Sequence, residues 1–199
     1  APTELYREFM GDLSEEIERE NKIINDLLDL VKLDKKGANL NINSQDVNEL
    51  VERILKRLQP LAAKSNIELV FESFRPVTAE IDEVKIALVI TNLVENAIKY
   101  NHKGGEVVFT ISKMNDYPIV IVEDTGIGIP KEDLKLIWDR FYKSDLSRGK
   151  DKKGTGLGLS IVKEIINAHD EHINVISTPG VGSEFIFSLP KSHQEDEED

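Results

Sequence analysis

A two-layer α/β sandwich of the α+β class, preceded by one long helix, is the architecture this sequence predicts. Three observations carry the prediction. Four strand-like runs in the second half come as adjacent pairs, EVVFTISK with YPIVIVED and HINVIS with SEFIFSLP, so the sheet is mostly antiparallel and not doubly wound. Three stretches of the body carry apolar residues at helical spacing. Residues 3–33 show instead a narrow apolar stripe on a charged helix, which suits pairing with another helix better than closing a globular core.

In that first stretch Phe9, Leu13, Ile17, Ile24, Leu27, Leu28 and Val31 recur by threes and fours, with Asn21 interrupting the seam and EEIEREN dominating the other face. Such a helix needs a partner, either its own copy in a second chain or a helix outside this sequence. Lys35, Lys36, Gly37 and Ala38 end it, with Gly37 suited to the residue just past a helix. NLNIN (39–43) alternates like a short strand. Asp46 followed by Glu49 resembles a capping box, and Val47, Leu50, Val51, Ile54, Leu55, Leu58 and Leu61 mark a helix to about Lys64. IELVFES and VTAEID read as strands, Glu83–Tyr100 as the second body helix, and the segment from Leu157 through Ile166 as the third. The final hairpin turns around Pro179, Gly180 and Gly182. No internal repeat is visible. The expected division is 1–37 for the lone helix, 38–191 for the body, and 192–199 for a solvated, disordered acidic tail.

With 199 residues, 40% hydrophobic and 31% charged, the chain is long enough to bury a real core. A net charge of −12 argues against nucleic acid as a partner, which would require a basic face. Part of that charge sits in the tail residues Glu195, Asp196, Glu197, Glu198 and Asp199. The absence of cysteine excludes disulfides and thiolate metal sites, and is compatible with a reducing compartment. No apolar run reaches about 18 residues and no signal peptide is visible, so the chain is expected neither to span a membrane nor to be exported.

Chemistry concentrates between Asp124 and Ser160, a region that begins DTGIGIP and ends GTGLGLS. Gly126 and Gly128 open it; Gly154, Gly156 and Gly158 close it and lead into a helix. A glycine turn entering a helix presents unpaired N–H groups to a phosphate, although a pair of tight turns would look the same. In Glu83–Tyr100 the apolar stripe is Ile86, Ile90, Leu93 and Ala97, while Asn92, Glu95, Asn96 and Lys99 share an opposite arc of roughly 100°. Asparagine inside a helix costs about half a kcal/mol relative to alanine, so two of them suggest a polar wall over a ligand as against a merely solvated face. An amide oxygen there would suit Mg²⁺, and Lys99 would supply a point charge for phosphate. Asp124 would serve an Asx-type turn, or would accept from the exocyclic amine of adenine and reject the carbonyl of guanine.

Several common sites are excluded. GxxxxGK[ST] and HExxH are absent, and Gly154, Gly156 and Gly158 alternate in a way that fails GxGxxG. His169 and His172 stand three apart without an acidic third ligand and read as ordinary surface histidines. Ser160 lacks a GxSxG setting.

NLVENAIKYN (92–101), DTGIGIP (124–130), IWDRFYK (137–143) and GTGLGLS (154–160) resemble the asparagine, first glycine, phenylalanine and second glycine boxes of sensor histidine kinases. The resemblance implies a histidine-kinase/gyrase-type ATP-binding fold over about residues 45–190. It also implies that residues 3–36 are the second helix of a dimerisation and histidine-phosphotransfer hairpin. Asn96 would ligate Mg²⁺, with Asn92, Lys99 and Tyr100 along the phosphates and ribose. Asp124 would bind the adenine amine in a pocket shaped by Gly126, Gly128 and Ile129. Gly154, Thr155, Gly156, Leu157, Gly158 and Leu159 would wrap the phosphates of ATP. The intervening lid would be anchored by Phe141 and Tyr142. Its cations Lys131, Lys135, Arg140, Lys143, Arg148, Lys150, Lys152 and Lys153 would close over the polyphosphate. Asn92, Glu95, Lys99 and Arg140 are the implied catalytic group. The implied partners are ATP and ADP, a histidine-bearing hairpin of the same or a second protomer, and a response regulator. A homodimeric parent and a cytoplasmic location, in a parent that can be membrane-anchored, follow from the same likeness.

Three departures stand out. Lys153 replaces the first glycine of the usual second glycine box, and Asp170 and Glu171 replace glycines after the last helix, where an Asp can still take the left-handed region. None of His102, His169, His172 or His193 is set as a phosphoacceptor followed by an acidic residue, so the chain is expected to begin inside the hairpin. An ATP-hydrolysing relative of the gyrase, mismatch-repair or chaperone type would place a Glu at the position of Asn92, which cannot take a proton from water. An anti-sigma-type serine kinase would leave the long N-terminal helix unexplained. A nucleotide-sensing module without transfer activity is the fourth reading.

Overall fold

The computed structural model describes residues 2–34, 39–144 and 155–193. Helix α1 (Pro2–Asp34) is followed by strand β1 (Ile42–Asp46), helix α2 (Val47–Lys64), and strands β2 (Glu68–Ser73) and β3 (Thr78–Asp82). Then come α3 (Glu83–Lys99), the hairpin β4 (Glu106–Met114) and β5 (Tyr117–Asp124), α4 (Gly158–Ala168), and the hairpin β6 (Ile173–Thr178) and β7 (Gly182–Ser188). The strands form a five-stranded sheet of order β2-β4-β5-β7-β6 and a separate pair β1-β3. All pairings are antiparallel except β2 with β4, which the sequence alone did not indicate. The strand expected at 39–43 lies slightly later, because its register is set by pairing with β3 from Ile42↔Asp82 to Asp46↔Thr78.

Alternation decides which sheet face meets the helices. Val107, Phe109 and Ile111 of β4, Val120 and Val122 of β5, and Phe185 and Phe187 of β7 are buried under α2, α3 and α4. Both body helices that start after a strand are capped by its last residue. Asp46 accepts from Glu49 N–H at 2.9 Å. Asp82 accepts from Lys85 N–H at 3.1 Å and from Asn41 N–H at 3.0 Å. Arg53 and Glu83 form an ion pair between α2 and α3.

One expectation changes here. His169 is a core residue, not a surface one. Its Nδ1 lies 2.8 Å from Ile165 O and its Nε2 accepts from Asp82 N–H at 3.1 Å, so the end of α4 is tied to the start of α3. Ser192 is only 1% exposed, its hydroxyl bonds to Ser44 and Glu80, and Lys191 bridges to Ala79. The tail from 194 onward lies outside the described residues. Asp170 has φ 57, the left-handed conformation expected of it.

Helix α1 uses two faces in two ways. Leu5, Phe9, Leu13, Ile17, Ile24, Leu28 and Val31, the apolar seam, are all exposed. A neighbouring face, Arg19, Ile23, Asp26 and Leu30, spans roughly 60° at 100° per residue and is the one that packs on the body, with Leu30 in the main core. Among the described residues no helix is long and apolar enough to cross a membrane.

Candidate active site

Helix α3 points its apolar face inward, with Ile86, Val89, Ile90, Leu93, Val94, Ala97 and Ile98 buried. That leaves Asn92, Glu95, Asn96 and Lys99 half-buried along one wall of a pocket. The pocket is lined by residues from α1, α3, the end of β5, the glycine turn and β7, a wider set of elements than a lone ion needs. Tyr100 continues the wall, and the Lys99 ammonium lies 5.6 Å from the centre of its ring. Asn101, the last residue of the box, does something different. It is buried, its amide donates to Glu106 O at 2.9 Å, and it thereby joins the helix end to β4.

Asp124 stands at the end of β5 and lines the same pocket. Gly126 N–H donates to its Oδ1 at 2.8 Å, so the Asx-type turn is present. The turn holds a carboxylate that still lines the pocket. Burial pushes the Asp124 carboxyl up to about 6; hydrogen bonds from the Gly126 and Ser183 backbones oppose that rise, and nearby Glu123 adds to it. Gly126 is required by close approach, since a Cβ there would sit 2.5 Å from Tyr100 O. The following N–H, that of Ile127, donates to the same Tyr100 oxygen at 3.0 Å and locks the glycine loop to the end of α3. Ile129 N–H is held by Ser177 Oγ at 2.7 Å, bringing the loop against β6.

The third wall is the turn into α4. Thr155, Gly156, Gly158 and Leu159 line the pocket, and the Asn92 amide oxygen lies 3.7 Å from where a Cβ on Gly158 would be. The Asn92 Nδ2 is buried with no hydrogen-bond partner among the described residues. Buried amide donors are nearly always paired, so this one marks a place for an acceptor oxygen. Gly156 has φ +72 and a Cβ on it would meet the Phe141 backbone at 2.8 Å. Phe141 N–H donates to Gly156 O at 2.9 Å. The chain at Phe141 is therefore fastened to the glycine turn through its backbone, while its side chain is 56% exposed. The side-chain anchors are Ile137, Trp138 packed edge-on against Phe185, and Tyr142, whose hydroxyl donates to Asp133 at 2.6 Å.

Of the residues named from sequence, Asn92, Glu95, Asn96, Lys99, Tyr100, Asp124, Gly128, Ile129, Tyr142, Lys143, Thr155, Gly156, Gly158 and Leu159 line this one pocket. Arg140 is exposed and lies outside it, as do the exposed Lys131 and Lys135. Gly126 acts through its backbone, and Leu157 is fully buried in the core. Arg148, Gly154, Lys150, Lys152 and Lys153 fall outside the described residues.

Residues 81–193 match the family described as histidine kinase-, DNA gyrase B-, and HSP90-like ATPase. The chain belongs to that family. Sensor protein SrrB of Staphylococcus aureus is 34% identical over 185 residues, 93% of this chain and 32% of its own length. The chain thus spans about a third of that relative. The solved catalytic domain of histidine kinase ThkA is 31% identical, with 76% of this chain and 96% of that one covered and a TM-score of 0.67. ThkA in complex with response regulator TrrA has a TM-score of 0.75 at 26% identity, covering 94% of this chain and 52% of that one. Full-length ShkA in complex with AMPPNP has a TM-score of 0.80 at 26% identity, covering 92% of this chain and 38% of that one. The chain carries the ATPase-type domain of two-component sensor histidine kinases.

The pocket residues not expected from sequence include Ile127, Ile137 and Ser144 beside the glycine loops, and two further groups. Ser183 and Phe185 lie on β7, where period-two alternation marks an inward face but gives no sign of a ligand. Lys22 and Asp26 come from α1, far away in sequence, and no local signal reports them.

Proposed function

We propose that this chain holds Mg·ATP so that the γ-phosphoryl group passes in line to a histidine nitrogen on another segment or chain. The supporting observation is Asn92, whose amide oxygen faces the glycine turn and whose buried Nδ2 has no partner among the described residues, lining the same cavity as Asp124. An amide donor, backbone N–H groups and Lys99 would bind phosphate oxygens, and the Asp124 carboxylate would accept from adenine. The Asn96 oxygen fits a Mg²⁺ that keeps phosphates and waters as its other ligands. Among the described residues no cluster of three acidic or histidine ligands exists, which such an ion does not require. Bound there, Mg²⁺ would neutralise charge on the phosphates.

In the transfer, the bond between Pγ and the bridging oxygen breaks, a nitrogen–phosphorus bond forms, and ADP leaves. Glu95 on the pocket wall, or an acidic residue of the acceptor hairpin, would orient the acceptor ring. Asn92 has no proton-accepting role, which disfavours water as the acceptor. The domain division proposed is 1–37 for a phosphotransfer-hairpin helix, 38–191 for the nucleotide-binding body and 192–199 for a tail, its first residue ordered. A response regulator is the proposed downstream partner, on the strength of the ThkA complex with TrrA. A homodimeric parent suits the exposed apolar seam of α1.

The test is labelled ATP with the chain alone and with a hairpin bearing the acceptor histidine. Label on the hairpin, and none on the chain alone, is the expected result. Steady phosphate release without a hairpin would favour hydrolysis instead.

A further inference from the structure

Helix α1 reaches the nucleotide pocket from outside the body, and it brings a carboxylate. Thr155 Oγ1, in the glycine turn, donates to Asp26 Oδ2 at 2.9 Å and accepts from Leu157 N–H at 3.2 Å. Lys22, one turn before Asp26, also lines the pocket. Asp26 is half-buried, and burial raises its carboxyl above the usual carboxylate range. Thr155, Lys22 and Lys99 pull it back down, and Asp29 adds to the rise. The groups that favour the ionised Asp26 therefore include a hydroxyl of the glycine turn and the lysine of α3. Lys99 is a group that the proposed function assigns to phosphate oxygens, and Thr155 belongs to the glycine turn whose N–H groups it assigns there as well.

We propose that Asp26 is a specificity-determining residue of the nucleotide site: its carboxylate stands in for a terminal phosphate, so docking of α1 and binding of a nucleoside triphosphate oppose each other. Two anions cannot share Thr155 and Lys99 at close range without repulsion, and the penalty grows with each phosphate added to the nucleotide. The docked face is suited to letting go. Leu30 is the one fully buried residue of α1 among those described, and Arg19 Nε on the same face is buried without a hydrogen-bond partner. A triphosphate that displaces Asp26 would free the C-terminal half of α1 from α4 and bare the pocket mouth on the side where an acceptor must approach. The proposal rests on the reading of this pocket as an ATP site.

Asp26→Asn separates charge from contact, because the amide oxygen can still accept from Thr155. Titration of ATP and ADP into the full chain and this variant should show ATP tightened about tenfold, ADP tightened less, and the ATP-to-ADP affinity ratio raised. In the unsubstituted chain, saturating ATP should speed amide hydrogen exchange over residues 19–30 more than saturating ADP does. An unchanged affinity ratio, weaker ATP binding by the variant, or slower exchange of that segment with ATP would overturn the proposal while leaving the ATP site standing. Failure of the unsubstituted chain to bind either nucleotide would remove the site reading itself, and this inference with it.

Discussion

Helices α1 and α3 are both long, amphipathic and in contact with the same pocket, yet they use their faces in opposite ways. In α3 the apolar face is the buried one, and its polar face lines a cavity. In α1 the apolar seam lies exposed, and a face mixing Arg19 and Asp26 with Ile23 and Leu30 meets the body. The difference teaches where each helix gets its stability. Ordering a residue costs about 1–2 kcal/mol of conformational entropy, which α3 recovers from the main core, whereas α1 buries only Leu30 fully among the described residues. A helix organised like α1 is built to meet more than one surface.

The largest expected effect breaks the comparison from the α3 side. Leu93→Ala should lower stability by about 2–5 kcal/mol, whereas Ile17→Ala on the exposed seam should change it by no more than about 0.5 kcal/mol, both read from denaturant melts. Next comes the site. Asp124→Asn removes a charged acceptor, and its loss should weaken ATP by about 10–100-fold with little change for a nucleotide lacking the adenine amine.

The pH dependence sharpens the same point. Burial raises the Asp124 carboxyl to about 6, and the adenine amine donates more strongly to its ionised form than to the neutral acid. ATP affinity is therefore predicted to rise as pH increases through about 6 and to level off above it, with a flat profile in Asp124→Asn. The sign for folding is the reverse. The protonated acid is favoured in the folded state, so its stabilising contribution is complete below the ordinary Asp value and is lost as pH rises through about 6. The smallest effect concerns the start of α3. Asp82→Ala removes the acceptor of two N–H groups and should cost about 1–2 kcal/mol, measured by thermal unfolding.

Much of this molecule was legible in its residues, for reasons that differ by element. The body helices announced themselves because their caps and apolar spacing are local, as at Asp46 and Glu49. The pocket was legible because Asn92 and Asn96 are a poor choice for a helix unless something is bound, and Asp124 precedes a glycine that must lie against a backbone. The parallel pairing of β2 with β4 left no trace, since it depends on which edge a strand joins. His169 was misjudged because its burial comes from contact with Asp82, 87 residues earlier in the chain. The docked face of α1 was hidden by its composition: Arg19 and Asp26 look like solvated residues until the body is laid against them.

The most direct measurement is a calorimetric titration of the chain with ATP and with GTP, each in the presence and absence of Mg²⁺. Single-site ATP binding strengthened by Mg²⁺, with GTP at least about tenfold weaker, is the predicted result. No ATP binding by the folded chain, or equal affinity for the two nucleotides, would contradict it.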